Sequence, residues 1–288
     1  MYDLSQVLKG LVNPRATIME INKLYNRVIK NIDSNPGGVD FIERDWDNLI
    51  ILDSCRYDIF EELSDLPGSL ESVESKGTGT PEFLRTNFDG KDLSDTIYLT
   101  GNPQYYYMTE QGELETTFYE VYNVWQDRWD EDVETVHPET MTEVAKSYSD
   151  KHPDKKLIIH YNQPHGPYLG PTAEGTILGP KDPSHERSIL EDLKNTIKSE
   201  TIPYEKHRKA YIENLNITLP YVESLIKYIE GKSVVTADHG QMLGERARPI
   251  PVRYHTHPQG VYVKQLTEVP WLVYTNGERK LKAKKKRR

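Results

Sequence analysis

One cysteine in 288 residues leaves the chain no partner for an intramolecular disulfide, and a lone thiol says nothing about compartment. No apolar run approaches the ~20 residues that span a bilayer. The opening stretch MYDLSQVLKGLVNPRATIMEINK has no uninterrupted apolar segment behind a basic start, so it does not read as a signal peptide. A cytoplasmic protein is the expectation. Basic residues are scarce outside the C-terminus. The last ten residues, RKLKAKKKRR, hold eight of the 36 lysines and arginines and none of the 45 acids. The net charge of −9 therefore hides −17 on the remainder. So acidic a body repels phosphate backbones, and a nucleic-acid partner is not expected.

What is there reads as a globular α/β chain, with 36% hydrophobic and 28% charged residues and no internal repeat. Apolar positions at helical spacing run through residues 3–31, and Pro14 divides them into two short helices. The run NLIIL (48–52) predicts a buried strand, and YDIFEELSDL predicts a helix that PGS ends. A glycine-rich turn, KGTGTPEF, opens another helix, since Pro81 suits a first turn. DTIYLTGNP, KKLIIHY, KSVVT, GVYV and PWLVYT read as further strands. The acidic, aromatic stretch 104–135 has no clear period and reads as an insertion, and 170–203 as loop. ETMTEVAKSYSD and the long segment from Glu205 to Gly231 read as helices. Strands alternating with helices imply a central, mostly parallel sheet sandwiched by helices.

Three of these strands run into the same chemistry. LIIL ends at Asp53, LIIHYNQPH runs to His165, and SVVTADHG ends at Asp238 and His239. One strand ending in an acid is a common helix cap. Three that deliver Asp, His and Asp-His to one sheet edge make a divalent cation site suited to zinc, manganese or a similar ion. YHTHPQG adds His255 and His257.

NLIILDSCRYD, NQPHGPY, VVTADHGQMLGE and HPQGVYVKQLTEVPWLV resemble the metal-binding and closing segments of the sulfatase-like branch of the alkaline phosphatase superfamily. The likeness spans about residues 46–275, leaving 1–45 as a helical N-terminal segment and 276–288 as a basic, disordered tail. It implies an alkaline-phosphatase-like fold and metal-assisted attack on a phosphate or sulfate ester by a side chain that is itself a metal ligand. By position, it implies one or two divalent ions, with zinc, manganese, calcium and magnesium all open. Asp53, Asp238 and His239 would be ligands. His257, or His255 two residues earlier, would complete a second site or contact the ester. His165 would bind ester oxygens or protonate the leaving group. The spacing of the phosphoglycerol-transferase relatives, threonine, three variable residues and Glu-Phe, makes Thr78 the implied nucleophile and metal ligand, with Thr80 second.

Departures shape the substrate expectation. The Cys-x-Pro-x-Arg motif of classical sulfatases is absent. Cys55 lies beside the first ligand and reads as a packed side chain, so phosphate is preferred over sulfate. The expected substrate is a small-molecule, glycan or lipid-linked ester. The expectation is a metal-dependent hydrolase or transferase of phosphate or sulfate esters, and two rivals stand beside it. One moves a substituted phosphate onto a surface glycan or lipid-linked sugar; the other is a catalytically silent binder of glycans or lipid head groups. The N-terminal helices and the basic tail are candidates for peripheral membrane contact, and homo-oligomerisation stays open.

Overall fold

The computed structural model describes residues 21, 22, 24, 25, 34–173 and 203–281. Most of the stretch expected to form two N-terminal helices, the greater part of the expected loop 170–203 and the residues from 282 onward lie outside the described residues. Along the chain run β1 (Asn48–Leu52), α1 (Tyr57–Leu63), β2 (Ser69–Glu74), α2 (Thr80–Phe88), β3 (Asp92–Thr100) and α3 (Gln104–Glu110). Then follow β4 (Thr117–Asn123), α4 (Val124–Arg128), α5 (Pro138–Lys151), β5 (Lys156–Tyr161) and α6 (Tyr204–Tyr228). The chain closes with β6 (Gly231–Thr236), the two-residue strands β7 (Arg246–Ala247) and β8 (Val252–Arg253), α7 (Lys264–Thr267) and β9 (Glu268–Asn276).

Seven strands form one mixed sheet in the order β2-β9-β6-β1-β5-β3-β4. The pairs β6–β1, β1–β5, β5–β3 and β3–β4 are parallel, and β9 runs antiparallel to both β6 and β2. Every residue of β1 is buried, as befits a central strand covered on both faces. Helix α6 explains its own amphipathicity: Ala210, Tyr211, Asn214, Leu215, Thr218, Leu219 and Val222 are buried at helical spacing, and the helix runs on through Pro220. An aromatic cluster fills the core under β3, where Tyr98 packs on Phe88, Tyr105 and Phe118 at ring separations of 5.2–5.4 Å. Among the described residues no helix is long and apolar enough to cross a membrane.

Several expectations are corrected here. The stretch 104–135 is no insertion: it supplies α3, α4 and the edge strand β4 of the main sheet. SLESVE, unassigned in the sequence, is the opposite edge strand β2. GVYV is a turn, in which Val261 N–H donates to the Pro258 carbonyl and Val263 N–H to that of Val261. The boundary expected at 45/46 cuts through the core, since Phe41 is fully buried and packs edge-on against Phe83 and Trp271. At the other end Arg279 is buried and donates to Asn48, Ser149 and the His152 carbonyl, so the first residue of the basic run belongs to the body.

Candidate active site

The carboxyl ends of the parallel strands share one edge, where α/β sheets collect ligands. Beyond β1 the chain turns sharply at Ser54, whose φ of +63° lies in the left-handed region rarely used by non-glycine residues. That turn aims two donors at acids: Ser54 Oγ donates to Asp53 Oδ1 (2.9 Å) and Ser54 N–H to Asp238 Oδ1 (3.0 Å). Asn102, just past β3, donates to Asp53 Oδ2 at 2.6 Å. Beyond β6, His239 N–H also donates to Asp238 Oδ1 (2.9 Å). A Cβ on Gly240 would sit 2.1 Å from the Gln265 carbonyl oxygen, so only glycine lets the chain pass there.

These turns bring ligand atoms of Asp53, Asp238 and His239 within 4.8 Å of one another, all buried. His239 Nδ1 lies 2.8 Å from the Gly240 carbonyl, which assigns the proton to Nδ1 and leaves the Nε2 lone pair facing the acids. Nε2 is 3.3 Å from Asp238 Oδ2 and 3.7 Å from Asp53 Oδ1. Burial, then the charge of Asp238, pushes the Asp53 carboxyl well above the usual range. Burial acts on Asp238 in the same direction, but His239, His160 and the Thr80 and Ser54 donors hold it below. Two buried acids thus cannot both ionise without more positive charge. Two carboxylates and an imidazole lone pair fit a divalent cation such as zinc or manganese.

The nucleophile turn departs from expectation. Thr80, the first residue of α2, donates its hydroxyl to Asp238 Oδ2 at 2.7 Å and lies 3.4 Å from His239 Nε2. Thr78 faces elsewhere: its hydroxyl donates to Glu82 Oε2 (3.0 Å) and accepts from Gly260 N–H (2.9 Å). The hydroxyl among the candidate ligands is therefore that of Thr80. Thr78 is not brought to the cluster as nucleophile or ligand.

Beyond β5 the loop to His165 folds over the site, and His165 Nε2 lies 3.0 Å from His257 Nε2. His165 Nδ1 is 2.6 Å from the Gly166 carbonyl, so in the neutral ring the proton sits on Nδ1. The proton between the two Nε2 atoms then belongs to His257, whose buried Nδ1 has no hydrogen-bond partner among the described residues. Burial lowers the pKa of both imidazoles, that of His257 well below its ordinary value. The His257 ring stands 4.4 Å from that of His239, so His257 joins the cluster. His255 turns aside to His207, with Nδ1 atoms 3.4 Å apart. His160 stays in the core of β5, hydrogen-bonded to Tyr98 (2.8 Å), its Nε2 3.8 Å from Asp238 Oδ2.

The sulfatase family model matches residues 85–288. The chain belongs to the sulfatase family. As a member of this sulfatase-like branch of the alkaline phosphatase superfamily, it is an enzyme of transfer or hydrolysis at phosphate or sulfate esters. The family match holds His165, Asp238, His239 and His257 but begins after Asp53 and Thr80, which the geometry of the site brings beside them. Solved structures with a similar fold include the C-terminal periplasmic domain of a phosphoethanolamine transferase from Campylobacter jejuni. It is 15% identical, with a TM-score of 0.46, covering 80% of this chain and 78% of that one. The soluble domain of lipooligosaccharide phosphoethanolamine transferase A from Neisseria meningitidis is 14% identical, with a TM-score of 0.44, covering 78% and 75%. No curated protein sequence matches.

Cys55 lies beside the first candidate ligand, Asp53, and not on the turn that carries Thr80. It is fully buried, off the nucleophile turn, and its thiol pKa is pushed up by burial. Arg56 is tied to Asp58 and Glu245 and points away from the acids' cluster. Sequence reasoning missed three supporting residues. Asn102 orients Asp53, and a "GNP" at a strand end was its signal. Tyr211 on α6 donates to the Ser54 carbonyl (2.8 Å) and fixes the left-handed turn. Asn214, one helical turn on, holds the His165 loop through the Pro164 and His165 carbonyls (3.1 and 3.0 Å) and Leu169 N–H (3.1 Å).

Proposed function

We propose that this enzyme cleaves or transfers phosphate esters with Thr80 as nucleophile. Its cation would be held by Asp53, Asp238 and His239 beside the Thr80 oxygen. The observation that carries the reading is the Thr80 hydroxyl, 2.7 Å from Asp238 Oδ2 at the start of α2. A free hydroxyl is a weak nucleophile and needs both a proton acceptor and local positive charge. A divalent cation, when bound, supplies that charge and polarises a phosphoryl oxygen. Asp238 Oδ2 is already the acceptor of the Thr80 proton. As Thr80 Oγ bonds to phosphorus, the ester P–O bond breaks; the leaving oxygen takes the Thr80 proton from Asp238 through solvent, and the neutral His257 Nε2–H gives that oxygen a hydrogen bond, not its proton. An incoming water or acceptor hydroxyl then reverses these moves, and Thr80 regains its proton. Phosphate is preferred because the nucleophile is a threonine and Cys55 is buried off the turn.

The test combines metal loading with an ester panel. Chelator-treated protein, reloaded with zinc or manganese, is assayed on nitrophenyl phosphate, bis-nitrophenyl phosphate and nitrophenyl sulfate. Activity should return with the cation and favour phosphorus. Thr80→Ala should lose at least about 10³-fold in kcat while calorimetry still registers zinc binding. Thr80→Ala with wild-type turnover, or a preference for the sulfate ester, would refute the proposal.

A further inference from the structure

The nucleophile turn and the loop carrying His257 lie far apart in sequence, yet one buried carboxylate joins them. Glu82, at the third position of α2 and 8% exposed, reaches back to the turn before its own helix. Its Oε2 accepts the Thr78 N–H at 2.8 Å and the Thr78 hydroxyl at 3.0 Å. This resembles a capping box, in which a third-position glutamate satisfies an orphan donor ahead of the helix. Here the motif extends across the site. The other oxygen, Oε1, accepts the hydroxyl of Tyr262, and the Thr78 oxygen accepts Gly260 N–H at 2.9 Å. Between them the Gln259 side chain lies over Gly79, where an added Cβ would stand 2.9 Å from Gln259 Cγ. Among the described residues the backbone hydrogen bonds of 258–263 are local turns, so these contacts, together with the burial of Val261, set its placement.

We infer that Thr78, Glu82 and Tyr262 form a latch that sets the separation between the Thr80 hydroxyl and His257. All three act as positioning residues, through the bonds that join the turn before α2 to the loop carrying His257. The inference rests on the reading of Thr80 as nucleophile. Its physical content is that in-line displacement needs the attacking oxygen and the hydrogen-bond donor to the leaving oxygen on opposite sides of one phosphorus. An error of about 1 Å in that spacing costs up to about 10²-fold in rate. Binding of a ground-state anion does not demand the same spacing. The latch thus predicts a selective loss in the transition state.

The experiment uses the full chain loaded with zinc and the variants Tyr262→Phe, Thr78→Val, Thr78→Ser and Glu82→Gln. Turnover of bis-nitrophenyl phosphate by Tyr262→Phe and Thr78→Val should fall about tenfold to a hundredfold in kcat, with KM within about threefold. Inhibition by orthovanadate, which adopts the five-coordinate geometry, should weaken by about tenfold or more, whereas inorganic phosphate should inhibit nearly as before. Thr78→Ser keeps the bridging hydroxyl and should recover most of the rate. The Thr78→Val and Tyr262→Phe losses should be less than multiplicative when combined, because both open the same latch. Wild-type kcat and vanadate inhibition in both single variants would overturn the latch. So would losses matched by falls in melting temperature and zinc affinity, the signature of a merely structural role. If Glu82→Gln does not fold, the Tyr262 and Thr78 variants decide alone. Thr80→Ala, assayed alongside, separates the two claims: its turnover tests the nucleophile, and the latch variants test the spacing.

Discussion

Asn214→Leu is expected to detach chemistry from metal binding. Asn214 is fully buried on α6, and its side chain makes three hydrogen bonds to the loop that carries His165. Leucine matches its size but offers no polar atom, so two carbonyls and one amide lose their partner. At about 1 kcal/mol net per bond, the loss is about 3 kcal/mol. With an unfolding entropy near 2.1 cal/mol/K per residue, a chain of this length should melt about 5 °C lower. The larger effect belongs to the loop. His165 keeps its main-chain link from its N–H to the Asp53 carbonyl (3.0 Å) and loses the brace on its other side.

Displacement of His165 by a fraction of an ångström to 1 Å should lower kcat by about tenfold to a hundredfold. Zinc affinity should change by no more than about twofold, since Asp53, Asp238 and His239 touch Asn214 nowhere in the hydrogen-bond network. The assay pairs nitrophenyl phosphate kinetics with zinc calorimetry on the same preparation. Wild-type kcat in a variant that melts lower would refute the reasoning, because the loop would then be held without α6. An equal loss of zinc affinity and rate would also refute it, by making the loop part of the cation site. Asn214→Asp sharpens the contrast: a carboxylate facing two carbonyls should destabilise more than leucine does.

Asn102→Ala should weaken zinc binding by about tenfold to a hundredfold, because Asp53 Oδ2 loses its 2.6 Å donor; calorimetry showing unchanged affinity would remove Asn102 from the site's support. His207 is buried against Tyr168 and His255, and burial, then the nearby His255 and His165, lowers its pKa to about 3. The unfolded chain takes up that proton near pH 6.5, so stability is full above 6.5 and is lost as pH falls from there toward 3. The contribution is about 1.4 kcal/mol per pH unit, or about 2 kcal/mol by pH 5. Urea melts of metal-free protein and His207→Gln between pH 7 and 5 should therefore diverge by that amount, and parallel curves would disprove the assignment.

The parts of the fold legible in the sequence are those where burial leaves a one-dimensional mark. Strands β1, β5 and β6 are covered on both faces, and each carries a short apolar run, LIIL in β1, LII in β5 and VV in β6. Edge strands leave no such mark. In β2 only Val73 is buried, and its glutamates at 71 and 74 left the segment unassigned. In β4 the inward Phe118 packs on Tyr98 and Tyr105, but it is hidden among acids whose spacing shows no period. GVYV misled for the opposite reason. Val261 is buried in a small satellite core with Met242, Tyr254 and Leu266, so the pattern reported burial truly while the backbone made turns. Alternation signals which side chains are inside, not which backbone groups pair.

The site divides along the same line. Asp53, His165, Asp238, His239 and His257 were legible because each follows an apolar strand or a short, chemically unusual motif. Asn214 was not, because a buried amide in mid-helix looks like any polar residue on a helix of 25. The exchange of Thr78 for Thr80 is the most instructive case. A threonine four residues before a glutamate reads as a motif, and the glutamate does bind that threonine. The spacing recorded an internal bond of the turn. Residue 80 differs because it is the first of α2, where the chain has turned to follow the helix axis beside Asp238. The Thr78 hydroxyl is tied to Glu82 and Gly260, away from the acids, whereas that of Thr80 donates to Asp238 and lies beside His239. That difference is invisible until the strands have been folded to a common edge.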